Sequence, residues 1–317
     1  MDPVKPNIIV ICGPTASGKT ALSVALAKEL GGEVVSADSM QIYRRMDIGT
    51  AKPTKEEMNG VPHHMIDVAG PEENYSVARY VSDAVPVVDD IIARGKIPVV
   101  AGGTGLYIDN LIAGREFAPF EEDGGLRELL QNRAANEGLP VLLEELRKVD
   151  PEAARRLHPN DEKRIIRALE VWLSTGKTIT QHNLETQAIP NRYHPLIIGL
   201  DFEQREHLRR RIDLRVDEMT ERGLEAEIRQ LLADGVPARC TAMQAIGYKE
   251  IVTAILEGRS VEEGAEEVKL RSKQYAKRQL TWFRRNPTVN WYRWGDHPNI
   301  SHALAFSTEL VHSCGLQ

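Results

Sequence analysis

Gly13-Pro14-Thr15-Ala16-Ser17-Gly18-Lys19-Thr20, preceded by the apolar run Ile8-Ile9-Val10-Ile11-Cys12, is the stretch that decides the fold. It matches GxxxxGK[ST] at every required position, with a strand pattern before it and a helical pattern, TALSVALAKEL, after it. Glycines let backbone N–H groups converge on phosphate oxygens, and the helix start adds partial positive charge. Lys19 adds a full charge, and the Thr20 hydroxyl is a magnesium ligand of the usual kind. The eight residues Gly13 to Thr20 therefore specify a diphosphate or polyphosphate ligand, without specifying a nucleotide.

Outward from this loop the pattern alternates. Residues 33–37, EVVSA, read as a second strand ending at Asp38, and residues 97–101, IPVVA, as a third, ending in Gly102-Gly103-Thr104-Gly105. Residues 76–94 read as a helix that Pro86 kinks or breaks. Alternation of strands and helices predicts an α/β fold, a P-loop NTPase-like parallel sheet whose ligands bind beyond the carboxyl ends of the strands. A return strand is expected at 195–200 and a terminal one near 288–294, with helical segments near 203–233, 243–257 and 260–285. Ser260 and Glu263 form a capping box for the last helix.

Between these parts the texture changes, and residues 121–182 hold no convincing strand. Pro140 to Lys148 and Asp161 to Thr175 read as helices, the second capped by Asn160 or Asp161 and stopped by Gly176. Ile165, Ile166, Leu169 and Trp172 recur at helical spacing and give it an apolar face. The expected organisation is a core of residues 1–118 and 191–317 with a small helical insertion domain at 119–190.

Composition sets the outer limits. The chain has 317 residues, 42% apolar and 27% charged, which suits a folded globular protein and not a disordered one. Three cysteines, Cys12, Cys240 and Cys314, are far apart and form no CxxC pair, so neither a zinc ribbon nor a disulfide framework is expected. The stretch before the first strand lacks the long apolar region and cleavage site of a signal peptide, so none is expected, and no apolar run approaches the roughly 20 residues that span a bilayer. A cytoplasmic protein without membrane attachment is expected.

The formal charge of −6 argues against nucleic-acid binding through overall charge, yet the charge is unevenly placed. Residues 205–215 contain five arginines, and residues 269–285 contain seven Lys and Arg with no acid, alongside Tyr275, Trp282 and Phe283. Lys163, Arg164 and Arg167 form a third basic patch, while acids cluster at Glu116 to Asp123, Glu144 to Asp150 and Glu262 to Glu267. Basic helices of this kind suit phosphate-backbone contact. The three aromatics are read as core residues. The expectation is a polarised surface, with the two main basic stretches on a shared side.

An ordinary P-loop NTPase also carries a strand-end carboxylate that holds Mg²⁺ through water. Here the third strand ends in AGGTG, and Asp67, after HHMI on a short strand, is a poor substitute. The second strand instead ends in Asp38-Ser39-Met40-Gln41, a polar cluster suited to recognising another group beside the phosphate loop. From the residues alone two readings stand: a P-loop kinase of small molecules or nucleosides, and a non-enzymatic RNA-binding module.

The motifs GPTASGKT, VVSADSMQIYRRMDIGTAKP, PHHMIDV, YSVARY, VVAGGTGLYI, HPNDEKRIIRALEV, RIDLRVDEM, QAIGYKE and YAKRQLTWFRRN stand in this order. Together they resemble the successive motifs of the bacterial tRNA dimethylallyltransferase (tRNA isopentenyltransferase) family, from about residue 8 to 294. The resemblance implies transfer of a dimethylallyl group from dimethylallyl diphosphate to N6 of adenosine 37 in the anticodon stem-loop of tRNA, with release of diphosphate and with Mg²⁺. The phosphate loop then holds a leaving group instead of ATP. The resemblance also implies roles. Asp38 binds N6 and acts as general base, Thr104 hydrogen-bonds near the bridging oxygen, and Arg215 pairs with diphosphate oxygens beside Lys19 and Thr20. Ser39, Met40 and Gln41 line the adenine pocket. Arg127, Glu162, Lys163, Arg164, Ile165 and Ile166, with Gln244, Gly247, Tyr248 and Lys249, touch tRNA. Many members have arginine where this chain has Gln244, and Thr-Arg where it has Ser272-Lys273. A monomer is implied, and the last twenty or so residues match no motif.

Overall fold

The computed structural model describes residues 5–115, 124–187 and 189–315. The chain divides into two compact units, Met1–Gly114 with Asn191–Gln317, and Arg115–Pro190. The acidic run Glu116 to Asp123, and the expected boundary at 118–119, lie outside the described residues.

The first unit begins with strand β1 (Asn7–Cys12) and helix α1 (Lys19–Glu29). Strand β2 (Glu33–Ser36), a short helix α2 (Lys55–Met58), a two-residue strand β3 (His63–His64) and helix α3 (Val77–Ala93) follow, then β4 (Pro98–Gly102) and α4 (Gly105–Ala113). Pro86 does not break α3. Its ring is on the exposed side, where a helix tolerates a lost hydrogen bond because water solvates the freed carbonyl. Tyr80, Val81, Ala84, Val88 and Ile91 anchor the opposite face, and the Ser76 hydroxyl accepts from Arg79 N–H at the start.

The second unit is helical: α5 (Gly124–Glu137), α6 (Leu139–Val149), α7 (Pro151–Arg156), α8 (Glu162–Thr175) and α9 (Ile179–Gln187). Its core is Leu130, Leu142, Leu143, Leu146, Ile165, Ile166 and Leu169. Asp161 caps α8 by accepting from Arg164 N–H, and Gly176 ends it. Asp150 caps α7 and also accepts from Thr180 N–H at 3.0 Å and its hydroxyl at 2.8 Å, tying α9 to the bundle.

The chain then returns to the first unit with β5 (His194–Phe202), α10 (Arg205–Glu221), α11 (Leu224–Ala233), α12 (Tyr248–Glu257), α13 (Val261–Phe283), β6 (Asn290–Trp294) and α14 (Ile300–Ser313). The run expected to be helical over 203–233 is cut at Gly223, whose φ of 93° is a left-handed turn that other residues adopt at a cost. The segment from 243 starts later than its pattern suggests. Ala242–Gln244 form one 3-10 turn, and Tyr248 opens the helix after Gly247 N–H has bonded to the Glu250 carboxylate at 2.8 Å. Helix α14 lies beyond the expected elements. Asn299 caps it, and Ala303, Ser307 and Val311 are buried.

The six strands form one sheet in the order β3-β2-β4-β1-β5-β6, and every pairing is parallel. β1 lies between β4 and β5, with Ile9 opposite both Val99 and Leu196. Ile8 to Cys12 are all fully buried, so both faces of the strand are covered, and this is why its sequence is an unbroken apolar run. Ile9, Ile11, Ile198, Leu200 and Phe202 share one core with Leu22, Leu26, Leu208, Ile212 and Leu280. Each such side chain contributes about 1.5–3 kcal/mol by leaving water. The three loops after β1, β2 and β4 therefore rest on a rigid base.

Candidate active site

The phosphate loop leaves β1 at Gly13, where a Cβ would meet the Leu200 carbonyl oxygen at 2.6 Å. Its carbonyls are held from outside. Lys19 Nζ donates to Pro14 O at 2.7 Å, Arg211 Nε to Ala16 O at 3.0 Å, and Trp294 Nε1 to Ser17 O at 2.8 Å. Ala16 sits at φ 62°, a left-handed conformation costing about 1–2 kcal/mol in a residue with a Cβ, and the Arg211 bond holds it there.

Asp38, Ser39 and Thr104 follow the ends of β2 and β4. The Asp38 carboxylate accepts from Met40 N–H at 2.9 Å. Thr104 Oγ1 accepts from Ser39 N–H at 3.1 Å and donates to Ser39 Oγ at 3.3 Å. Gln41 accepts from the Ser36 hydroxyl at 3.2 Å and donates to Ala51 O at 3.2 Å. Tyr80 donates to Ser36 O at 2.9 Å and stacks on Tyr107, backing the end of β2.

Two cations share this edge. Burial, then the neighbouring Arg215 charge, pushes the Lys19 ammonium down to about 8, with Asp38 opposing. Burial likewise lowers Arg215, again against the Asp38 carboxylate. Among the described residues, Arg215 Nε and Ser17 Oγ are buried without a hydrogen-bond partner. A buried unsatisfied donor costs about 1–3 kcal/mol, and an anion seated in the loop removes that cost for a guanidinium.

The structure thus brings Gly13 to Thr20, Asp38, Ser39, Thr104 and Arg215 to one sheet edge. Asp67 is elsewhere engaged: it accepts from the buried Lys52 Nζ at 2.6 Å. No group of three or more His, Cys, Asp or Glu suited to a metal occurs among the described residues.

In the second unit, Glu162, Lys163 and Arg164 are exposed at the start of α8, and Arg127 pairs with Glu170 at 3.0 Å. The side chains of Ile165 and Ile166 lie in the helical core, at 0% and 4% exposure. In the first unit, Gln244 and Lys249 are exposed, but Gly247 and Tyr248 are buried. The Tyr248 hydroxyl donates to Glu227 at 2.5 Å, so its side chain packs instead of facing a ligand.

The basic stretches also read differently in three dimensions. Helices α10 and α13 pack side by side, with Lys269 paired to Asp217 at 2.7 Å and Lys273 to Asp213 at 2.6 Å. Arg271 and Arg284 are paired as well, to Glu267 and Asp201. Lys277, Arg278 and Arg285 make no ion pair among the described residues. Of the aromatics, Phe283 is core, whereas Tyr275 is half-buried beside Thr104 and Trp282 is 38% exposed.

Two residues were missed by reading the sequence. Gln279 accepts from Thr15 N–H at 2.8 Å and donates to Gly103 O at 3.0 Å. Its signal was a polar residue on a helix face otherwise made of Ala276, Leu280 and Phe283. Glu227 accepts from Asp47 N–H and Ile48 N–H, both at 2.9 Å, and fixes the loop that ends beneath Gln41. No local pattern marks it.

The chain is similar to known proteins along most of its length. Residues 41–286 match the family described as IPP transferase, and residues 6–73 match isopentenyl transferase. A tRNA dimethylallyltransferase of Thermoanaerobacter sp. (strain X514) is 47% identical over 92% of this chain and 93% of its own. One from Caldanaerobacter subterraneus subsp. tengcongensis is 48% identical over 90% and 91%. The crystal structure of the tRNA isopentenylpyrophosphate transferase of Bacillus halodurans has a TM-score of 0.72 at 41% identity, with 98% of each chain covered. A eukaryotic dimethylallyltransferase acting on tRNA has a TM-score of 0.81 at 31% identity, covering 97% of this chain and 80% of that one. With a matching phosphate loop, an acidic β2 end and these relatives along its length, the chain belongs to the IPP transferase family of tRNA dimethylallyltransferases.

Proposed function

We propose that this protein transfers the dimethylallyl group of dimethylallyl diphosphate to N6 of adenosine 37 in the anticodon loop of tRNA. The single observation that carries this reading is the pairing of a two-cation phosphate loop, Lys19 with Arg215, with the Asp38 carboxylate on the same sheet edge. One side suits an anionic leaving group, the other an N–H that must lose its proton.

The N6–carbon bond forms as the carbon–oxygen bond to diphosphate breaks. The electron pair leaves with the diphosphate, where Lys19, Arg215 and the loop N–H groups stabilise it. The N6 proton passes to Asp38, whose orientation is set by its bond from Met40 N–H. Thr104, anchored by the bond from Ser39 N–H, would turn its hydroxyl proton from Ser39 Oγ to the bridging oxygen when diphosphate is bound. The adenine must leave its stack to reach this edge, and Ser39, Met40 and Gln41 line its pocket.

The site offers magnesium the Thr20 hydroxyl, and among the described residues no group of three or more carboxylates, His or Cys stands ready to hold it. The Thr20 hydroxyl would hold a hard cation of this kind beside the bound diphosphate. The cation would supply charge neutralisation for the leaving group. Contacts to tRNA fall to Arg127, Glu162, Lys163 and Arg164 in the helical unit and to Gln244 and Lys249 in the sheet unit. A monomer is the oligomeric state that the family resemblance implies. No helix among the described residues is long and apolar enough to cross a membrane, and a cytoplasmic location follows from the tRNA substrate.

The test is direct. Unmodified tRNA is incubated with the protein and Mg²⁺, with dimethylallyl diphosphate or ATP in parallel, and the nucleosides are weighed after digestion. A five-carbon gain on adenosine is expected. ATP-dependent phosphorylation instead, or no product from folded protein, overturns the reading.

A further inference from the structure

The β1–β4 ladder ends at Cys12 opposite Gly102. Beyond that pair the two main chains part, one into the phosphate loop and one toward Thr104. A side chain bridges the gap. Gln279 of α13 accepts from Thr15 N–H at 2.8 Å and donates to Gly103 O at 3.0 Å, and it is 6% exposed. A Cβ on Gly103 would lie 2.2 Å from Gln279 Nε2, so the fit leaves no slack. Three residues further on, Trp282 Nε1 donates to Asp109 at 2.9 Å and covers Gly105. One turn earlier, Tyr275 sits beside Thr104. This face of α13 therefore runs along the loop that carries Thr104.

We propose that Gln279 is a positioning residue of the transfer reaction, setting the distance between the phosphate loop and Thr104. The inference rests on the transfer reading above. The fold does not need this bridge, because the sheet already pairs β1 with β4 up to its last residue. The chemistry does, because the leaving group is gripped by one loop and met at its bridging oxygen by the other. Misplacement by a fraction of an ångström is enough to slow such a step. An amide suits the place, since its carbonyl accepts and its NH2 group donates, with no charge near the anion.

Gln279→Met keeps the volume and removes both hydrogen bonds. Gln279→Glu keeps the acceptor and sets a carboxylate against Gly103 O. The expected result for Gln279→Met is a fall of about 30-fold in kcat. The KM for tRNA should stay within about twofold, and affinity for inorganic diphosphate with Mg²⁺, measured by calorimetry, should weaken about 10-fold. Gln279→Glu should weaken diphosphate further. A loss confined to folded fraction, with kcat per folded molecule and diphosphate affinity unchanged, overturns the proposal. A double-mutant cycle gives a second test. Gly103→Ala should be harmful alone and nearly silent in a Gln279→Ser background, where the clash is gone. Strictly additive losses overturn the proposal. If the wild-type protein transfers no five-carbon group, the transfer reading falls, and the brace is judged on diphosphate affinity and the cycle by the same criteria.

Discussion

Ser39 and Thr104 are joined twice, Ser39 N–H to Thr104 Oγ1 at 3.1 Å and the Thr104 hydroxyl to Ser39 Oγ at 3.3 Å. The bonds lock the loop after β2 onto the loop after β4, and Asp38 is the residue immediately before the lock. Removing one oxygen therefore disturbs both. Thr104→Val keeps the shape and deletes the hydroxyl. We expect kcat to fall about 10²-fold, with the KM for tRNA changed far less, in steady-state kinetics of dimethylallyl transfer. Ser39→Ala keeps the backbone bond and should cost less than tenfold.

Asp38→Asn retains an oxygen to accept from Met40 N–H and removes the proton acceptor. Transfer should drop about 10²–10⁴-fold. Diphosphate affinity should hold or tighten, because a negative charge near Lys19 and Arg215 has gone. Calorimetry with inorganic diphosphate reads the second effect, and weaker binding would count against the assigned geometry.

Lys19 gives the pH dependence. Its ammonium is held down to about 8 by burial and by Arg215, and a bound anion favours the charged form and raises it. The free site thus loses its charge as pH rises through 8, and binding must then take up a proton. Affinity for dimethylallyl diphosphate without tRNA should be flat at and below pH 7 and fall above pH 8. Lys19→Met should bind weakly and remove the slope. A wild-type profile that stays flat to pH 9.5 would show that the Lys19 ammonium is not held down in the free site.

Glu227 supports the site from a distance. Its carboxylate accepts from Asp47 N–H and Ile48 N–H at 2.9 Å and from the Tyr248 hydroxyl at 2.5 Å. Glu227→Ala leaves those donors unpaired and should cost about 1–3 kcal/mol in urea unfolding. Gln41 bonds Ala51 O at the far side of the same loop, so the KM for tRNA should rise as well.

The phosphate loop was readable because its chemistry is local: eight consecutive residues between a strand and a helix specify both geometry and ligand. Strand β1 was readable because burial on both faces demands an unbroken apolar run. Gln279 was not, since its partner Thr15 is 264 residues away and only the folded sheet edge brings them together. The same holds for Glu227 and Asp47, 180 residues apart. Pro86 misled because propensity speaks of an isolated helix, whereas α3 is held by its buried face. Lys269, Lys273 and Arg284 looked uncompensated because their acids, Asp217, Asp213 and Asp201, come from other elements. Tyr248 and Ile165 stood within recognised motifs, and a motif does not say which of its residues face inward.

Lys163 and Arg164 carry the last prediction. Both are exposed at the start of α8, and Arg164 has only a surface pair with Asp161 at 2.9 Å, with its side chain 75% exposed. Such a pair is worth about 0–1 kcal/mol, so replacing both residues by alanine should leave the unfolding midpoint nearly unchanged. If they meet tRNA phosphates, binding weakens at every salt concentration. The slope of log affinity against log salt becomes shallower by about one for each phosphate that is no longer neutralised. At saturating tRNA the rate of transfer should match wild type, because neither residue belongs to the sheet edge where bonds break. An unchanged salt slope would remove this part of α8 from the tRNA surface and shift that role to the unpaired cations Lys277, Arg278 and Arg285 of the sheet unit.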